Sequence, residues 1–228
     1  MSGQPNSVGF YLDDQSTGEW KRYHENGQLY GEGLHRDDGR DSVWTYYHDN
    51  GNISSRGPYK NDKRHGVCTW YSPDGLPLLE MRHHNGDLIA YRPLTTGNDA
   101  AWIPFTGNGK IDIRYANGNK AWEEEYKDGL SHGYDRMYYP DGKLYSETLY
   151  SGGDNTGDTK LYYPNGKLKM RGTYKDNERN GTFERYNADG TLESSEIYHL
   201  GFQNGKSVYY KNGVKKKEIK FWYGIAEE

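Results

Sequence analysis

The chain has 228 residues, a mean hydropathy of -1.15 and only 32% hydrophobic residues, so it cannot build a large apolar core, and no stretch is long and apolar enough to span a membrane. The 23 Tyr, 6 Trp and 5 Phe supply buried area that disordered chains lack, which predicts a thin but folded protein. The net charge is -4, with 29 basic and 33 acidic residues interspersed, which disfavours a nucleic-acid-binding surface.

Residues 1–15 contain no basic patch followed by an apolar run, so we expect no secretory signal and a cytoplasmic protein. Cys68 is the only cysteine, which excludes a disulfide within the chain. Because Cys68 lies between Val67 and Thr69 in a predicted strand, we interpret it as a small packing residue and not as a reactive thiol.

A glycine preceded by Asn or Asp recurs along the chain with a nearly constant period. Successive gaps between these glycines are 24, 24, 43, 24, 24, 24 and 23 residues. A fixed period of this length indicates a repeat architecture, in which function lies along an extended surface. These residues, called the turn glycines below, are Gly27, Gly51, Gly75, Gly118, Gly142, Gly166, Gly190 and Gly213.

Each repeat is predicted to be a β-hairpin, because Asn-Gly or Asp-Gly between strand-like segments is the strongest short hairpin signal. In the first repeat we expect strands near residues 18–24 and 28–35, and we expect return turns between hairpins at 60–62 and 127–129. A glycine nine positions before most turn glycines permits a bend between units. The predicted fold is therefore all-β: an elongated single-layer array of about eight β-hairpin repeats in one twisted, curved antiparallel sheet.

We predict that residues 1–228 form one array, with N-terminal repeats in 18–75, C-terminal repeats in 109–221 and a degenerate or inserted segment at 76–108. The division follows from the spacing, because the gap of 43 residues is five short of two periods and falls between the two sets of repeats.

The stretch 91–109 departs most from the repeat pattern. Its two prolines and three glycines are incompatible with a regular hairpin. Loops that interrupt an array often carry function, and this one contains Trp102, Ile103 and Phe105, of which we predict Trp102 and Phe105 to anchor a partner. The alternative is that these aromatic residues fill a kink between two sub-arrays.

Two columns of residues run in register with the turn glycines. The position four residues before each turn glycine is nearly always tyrosine. Stacking of equivalent tyrosines in neighbouring hairpins explains this column without a ligand. The position six residues before varies in charge and, by strand alternation, shares a face with the tyrosines. Polar residues on a tyrosine platform are typical of partner-specific surfaces, although an ordinary solvated face fits equally well. The tyrosine column comprises Tyr23, Tyr47, Tyr71, Arg114, Tyr138, Tyr162, Tyr186 and Tyr209. The variable column comprises Lys21, Thr45, Thr69, Asp112, Arg136, Lys160, Glu184 and Ser207.

The sequence contains no recognisable catalytic or metal-binding constellation. The eight histidines follow repeat positions and not metal-ligand spacing, and no Ser/His/Asp grouping stands out. The segment 107–110 lacks the remaining residues of a phosphate loop. We therefore predict a non-enzymatic protein without a metal or cofactor.

The repeat resembles a known family. The string Gly-x-x-x-x-Tyr-Tyr-Pro-Asn-Gly-Lys-Leu at 157–168, with Tyr-Lys-Asp/Asn after it, resembles MORN-type repeats. It resembles more closely the variant found in the YwqK-like antitoxin and immunity proteins of bacteria. The resemblance covers about residues 18–75 and 107–221. It implies a hairpin scaffold for protein contact, or in some proteins lipid contact, and the YwqK-like subset is associated with neutralising a co-encoded toxin.

The resemblance leads us to expect a non-enzymatic scaffold that binds a cognate toxin domain one-to-one and occludes it. The alternative is a MORN-like scaffold or membrane-peripheral module, which would need a basic face or an amphipathic helix. We expect neither nucleic-acid binding nor integral membrane association, and an enzyme is a third option to which no residues can be assigned. The residues expected at the partner contact are Lys21, Tyr23, Tyr47, Tyr71, Trp102, Phe105, Arg114, Arg136, Tyr138, Lys160 and Glu184.

Overall fold

The computed structural model describes residues 6–24, 26–95 and 100–227. These residues form antiparallel β-strands and turns, without a helix among them, which confirms the predicted all-β class and the hairpin repeats. Within the same residues, no helix is long and apolar enough to cross a lipid bilayer.

The chain divides into two compact units, each of which we describe by itself. Unit 1 comprises residues 1–107 and 113–121, and unit 2 comprises residues 108–112 and 122–228. The described strands form a 10-stranded and a 14-stranded sheet, in which the strands pair in chain order except for four two-residue strands that lie off this order, each paired with the strand before it. One uninterrupted array over 1–228 stays a prediction.

The strands of the first sheet are β1 (Ser7–Leu12), β2 (Gln15–Tyr23), β3 (Leu29–Arg36), β4 (Gly39–Tyr47), β5 (Ile53–Lys60), β6 (Lys63–Arg64), β7 (Gly66–Tyr71), β8 (Pro77–His84), β9 (Asp87–Pro93) and β10 (Ile103–Pro104). The strands of the second sheet are β11 (Gly109–Arg114), β12 (Lys120–Lys127), β13 (Leu130–Ser131), β14 (Gly133–Tyr138), β15 (Leu144–Ser151), β16 (Asp154–Tyr162), β17 (Leu168–Lys175), β18 (Glu178–Arg179), β19 (Gly181–Tyr186), β20 (Leu192–His199), β21 (Phe202–Gln203), β22 (Gly205–Lys211), β23 (Val214–Trp222) and β24 (Ile225–Ala226).

The turn glycines close the hairpins as predicted, through a bulged turn. Gly51 has a φ of 89° and donates its N–H to the carbonyl of His48 at 2.9 Å, while His48 donates to the carbonyl of Asn52 at 2.8 Å. The Asn50 side chain accepts the N–H of Asn52 at 3.1 Å, which explains why Asn or Asp precedes each turn glycine. Because only the glycine adopts the left-handed conformation, this is a type I turn with a G1 bulge.

The last hairpin uses a shorter turn. Asn212 and Gly213 both have positive φ, at 53° and 72°, and Lys211 pairs directly with Val214, as in a two-residue I′ turn. The period is therefore one residue shorter. The strand irregularity next to the turn falls before Tyr210, so Tyr210, and not Tyr209, takes the tyrosine-column place in this repeat.

The return turns between hairpins are two-residue I′ turns at the predicted positions. Asn61 and Asp62 have φ of 50° and 63°, and Asp128 and Gly129 have φ of 53° and 81°. A return turn also bonds the strand that follows the preceding return turn. The N–H of Asp62 donates to the carbonyl of Arg40 at 3.0 Å.

The segment 76–108, predicted to interrupt the array, is partly a β-hairpin in the structure. Strands β8 and β9 form a regular hairpin there, closed by a turn in which Asn85 and Gly86 have positive φ. Leu78 and Leu79 are both fully buried, although they are adjacent in the strand. Strand β10 is two residues long, and residues 96–99 lie outside the described residues.

The core is built from large side chains that lie over glycines of the adjacent strand. Trp44 is fully buried against Gly33, and its indole Nε1–H donates to the carbonyl of Leu34 at 2.8 Å. Cys68 occupies the equivalent place against Gly57, and burial raises the pKa of its thiol to about 11. The prediction that Cys68 is a packing residue is confirmed.

Side chains at the turn-glycine ends join successive repeats. The hydroxyl of Tyr139 donates to the carbonyl of Tyr162 at 3.0 Å, and that of Tyr163 donates to the carbonyl of Tyr186 at 2.8 Å. In the pairs Tyr138–Tyr139 and Tyr162–Tyr163, the second tyrosine therefore bonds the next hairpin, while the first belongs to the tyrosine column.

Candidate interaction face

In every repeat but the last, the tyrosine column and the variable column lie on one face of each sheet, called the tyrosine face below. In the last repeat, Tyr210 replaces Tyr209 in the column, and Ser207 is fully buried. Tyr47 is half-buried there and donates its hydroxyl to Glu32 at 2.7 Å, and Lys21 lies 3.9 Å from the same carboxylate. Burial and then Glu32 raise the pKa of Tyr47 to about 12, so the phenol stays neutral. Tyr23 and Tyr71 are also half-buried.

The tyrosine face of unit 2 carries a ladder of close ion pairs. The guanidinium of Arg136 lies 2.6 Å from Glu147 and 3.6 Å from Glu123, and the ammonium of Lys160 lies 3.3 Å from Glu147. Burial alone would raise the pKa of Glu147, but Arg136 and Lys160 lower it overall. Tyr138 donates its hydroxyl to Glu123 at 2.7 Å, so these predicted contact residues are bonded to one another.

The ladder continues at the next hairpin. Glu184 accepts from Arg171 at 2.5 Å and from the hydroxyl of Tyr186 at 2.8 Å. Burial would raise the pKa of Glu184, and the bonds from Tyr186 and Arg171 lower it. The charges of the variable column in unit 2 are therefore largely neutralised within the sheet.

The charged side chains on the tyrosine face of unit 1 are less fully paired than those of unit 2. The Lys21 and Glu32 side chains are 49% and 37% exposed at their separation of 3.9 Å, so their attraction is weak. Arg56 is exposed and forms no ion pair with a described carboxylate. The tyrosine face of unit 1 offers cationic groups beside tyrosine rings.

Arg114 takes the tyrosine-column place at the end of unit 1. It is exposed and donates to the carbonyl of Gly118 at 3.1 Å, within its own hairpin. The structure thus places this predicted contact residue against its turn.

Trp102 and Phe105 pack within unit 1, beside strands β8 and β9. The Trp102 ring centroid lies 4.3 Å from the Arg82 guanidinium carbon and 5.0 Å from that of Arg92, and Arg92 donates to Glu80 at 2.6 Å. Phe105 donates its backbone N–H to the carbonyl of Ile89 at 3.0 Å. Both aromatic residues are half-buried, so part of each ring remains accessible, and their role as anchors stays a prediction.

Sequence reasoning missed the acidic partners of the variable column. Glu32, Glu123 and Glu147 lie five residues after their turn glycines, and the sheet register sets Arg136 opposite both Glu123 and Glu147. The signal is present in the sequence as a second column of charges, which becomes meaningful once the hairpin register is fixed.

The opposite face of unit 2 holds two neighbouring carboxyls. Asp135 accepts the indole N–H of Trp122 at 2.6 Å, and Glu124 accepts hydroxyls of Tyr126 and Ser131, each at 2.6 Å. Burial and then the charge of Glu124 raise the pKa of Asp135 well above its ordinary value. Within the described parts of the chain, no three His, Cys, Asp or Glu residues are grouped as metal ligands.

Comparison with known protein families adds one result. Residues 16–37, 40–61, 132–151 and 155–176 match the MORN repeat variant. The chain carries MORN-type repeats. Each matched stretch contains one hairpin with its turn glycine, and the four matches support a repeat scaffold. No curated protein matches the chain.

Proposed function

We propose that this MORN-type repeat protein is a non-enzymatic scaffold that binds a protein partner through the tyrosine face of unit 1. The observation that carries the proposal is the row of half-buried Tyr23, Tyr47 and Tyr71 beside the exposed, weakly compensated Lys21 and Arg56. Tyrosine and arginine dominate binding hot spots, because they combine a large apolar body with polar contacts.

The partner we propose is a bacterial toxin domain, bound one-to-one, with this chain as its immunity protein. The support is the resemblance of the repeats to YwqK-like antitoxin and immunity proteins. The mechanism is steric occlusion, for which a standard interface of about 1,600 Å² in total is sufficient. Trp102 and Phe105 extend the contact at the edge of the first sheet.

The experiment is co-expression in a bacterial host with the product of the adjacent reading frame. We expect that product to arrest growth and this protein to restore it. The variant Lys21→Glu with Arg56→Glu reverses the exposed charges of the tyrosine face and should abolish rescue. Lys60→Glu with Lys63→Glu is the matched control, because it makes the same charge change at an exposed return turn.

A second variant tests the predicted anchors. Trp102→Ala with Phe105→Ala should weaken rescue, because it removes the two half-buried rings of this segment. Equal rescue by wild type and both variants, with each variant folded by circular dichroism, would overturn the assignment of the tyrosine face. Absence of growth arrest by the adjacent product would overturn the immunity role.

A further inference from the structure

The face of unit 1 opposite the tyrosine face is an aromatic layer. Trp20, Trp44, Tyr46 and Tyr59 form one buried cluster there. Neighbouring rings are in contact, with centroids 5.9 Å apart for Trp44 and Tyr46 and 6.4 Å apart for Tyr46 and Tyr59. This layer gives the sheet a continuous apolar floor.

Three arginines lie over that floor. The guanidinium carbon of Arg22 is 5.6 Å from the Trp44 ring centroid, and that of Arg40 is 4.4 Å from the Tyr59 centroid. Arg64 lies 5.8 Å from the Tyr59 centroid. We call this surface, formed by Arg22, Arg40 and Arg64 with the rings beneath them, the arginine–aromatic face.

The strand order separates two of these cations by one strand. Arg40 and Arg64 lie on β4 and β6, and both strands pair with β5, which carries Tyr59. At about 4.8 Å per strand, the two guanidinium groups are on the order of 10 Å apart along the sheet. Arg64 also lies 5.0 Å from the Trp70 centroid, so the row of cations and rings continues toward β7.

The positive charge of this face is only partly compensated. Arg40 donates to Asp62 at 2.5 Å and to the hydroxyl of Tyr46 at 2.7 Å. Neither Arg22 nor Arg64 forms an ion pair with a carboxylate among the described residues. Two guanidinium groups therefore keep their in-plane N–H donors for another acceptor.

The positive charges of the three arginines all affect the pKa of the same side chain, Tyr30. Burial and Tyr46 raise the pKa of Tyr30, and the charges of Arg22, Arg40 and Arg64 all oppose that rise. One phenol thus lies within electrostatic reach of all three cations. The same convergence of positive charge would act on any anion placed above the rings.

We propose that the arginine–aromatic face binds an acidic segment of a protein partner, with one carboxylate on Arg22 and another on Arg64, above the ring layer. A guanidinium stacked on a ring presents a planar fork of donors that matches a carboxylate in two-point geometry. The rings beneath are buried and support the guanidinium groups through cation–π contact. This second surface goes beyond the proposed function, since it lies on the opposite face and requires no toxin.

A protein carboxylate fits better than a polyphosphate surface. Nucleic acids and anionic membranes bind through many cations at once, because the affinity comes from the release of many counterions. Here two uncompensated arginines belong to a chain of net charge -4. A few discrete carboxylates match that number of donors.

The experiment uses the full chain and a fluorescein-labelled hexamer of glutamate as probe, with a glutamine hexamer as reference, followed by fluorescence anisotropy. We expect saturable binding of the glutamate hexamer and none of the glutamine hexamer. Arg22→Gln with Arg64→Gln should weaken binding at least tenfold. Arg36→Gln with Lys60→Gln is the matched control, because it removes the same charge from exposed residues elsewhere in unit 1, and it should change affinity less than twofold.

A second measurement guards against a variant that fails to fold. In wild-type protein, the arginine Nε–H NMR signals of Arg22 and Arg64 should shift on addition of the glutamate hexamer, while that of Arg36 stays in place. Lack of saturable binding, or equal loss in both double variants, would overturn the proposal. Tighter binding of a uridine decamer or of phosphatidylserine vesicles, lost in Arg22→Gln with Arg64→Gln, would overturn it in favour of a phosphate ligand.

Discussion

Gly33→Ala is expected to destabilise unit 1, because the added methyl group would occupy the place of a buried ring. A Cβ at this position would lie 2.5 Å from one ring atom of Trp44 and 2.6 Å from two others. Ordinary carbon contacts are about 3.5–4.0 Å, so the ring or the strand must move by about 1 Å. The Trp44 ring cannot move easily, because it is fully buried and its indole N–H is bonded to the carbonyl of Leu34.

The magnitude follows from three terms. Overpacking costs about 1–3 kcal/mol, and distortion of the indole hydrogen bond costs about 1 kcal/mol. Replacing glycine by alanine returns about 0.4–1 kcal/mol through the unfolded chain. We therefore expect a net loss of about 2 kcal/mol in the free energy of unfolding, which for a unit of this size lowers Tm by on the order of 10 °C.

A double-mutant cycle tests this reasoning by urea unfolding followed with circular dichroism. Trp44→Ala alone should cost about 3–5 kcal/mol. In the double variant the methyl group enters the space that the ring has left, so its cost should not exceed that of Trp44→Ala. The coupling energy should therefore be about 2 kcal/mol. Additive costs, or a Gly33→Ala variant as stable as wild type, would refute the packing of rings on glycines.

Three further predictions concern hydrogen bonding and protonation. Tyr163→Phe should lower the free energy of unfolding by about 0.5–1.5 kcal/mol, because it removes a bond between repeats, and Tyr162→Phe, whose hydroxyl has no such bond, serves as the control in urea unfolding. Asp135→Asn should stabilise unit 2 at pH 7, since an amide avoids the cost of burying an ionisable carboxyl whose pKa is raised by burial and by Glu124, and a lower midpoint in thermal unfolding would contradict this. Burial lowers the pKa of His83 to about 4, so the unfolded chain binds the proton first as pH falls: stability is complete above about pH 6.5 and declines toward pH 4 by up to about 3 kcal/mol. His83→Tyr introduces the residue type that Tyr59 provides at the equivalent position of the preceding repeat, and it should flatten that decline. An unchanged pH profile in urea unfolding would show that His83 does not cause the decline.

Much of the fold could be predicted because the turn residues of each repeat are recognisable in the sequence. The turn glycines and the return turn at 60–62 fix hairpin length, strand direction and alternation, and these features were confirmed. The side chains that build the core could not be found in this way. At the place of Trp44, other repeats carry Cys68, Asp135 and Phe183, so no column of one residue type marks the position.

The candidate face was predictable only in outline. Strand alternation placed Lys21 and Tyr23 on one face, as the structure shows. The ion pairs of Arg136 depend on the pairing register, and the bulge beside each turn shifts that register. The packing of Trp102 between two arginines depends on a contact between sheet and loop that has no local signal.

The most direct test of the account is affinity purification of the tagged protein from its native cell, with the co-purified proteins quantified by mass spectrometry. The account predicts one toxin-like protein at one-to-one stoichiometry with wild type and with the Lys60→Glu, Lys63→Glu control. It predicts loss of that protein with Lys21→Glu, Arg56→Glu. Recovery of no stoichiometric partner with wild type, or equal recovery with all three proteins, would contradict binding through the tyrosine face of unit 1.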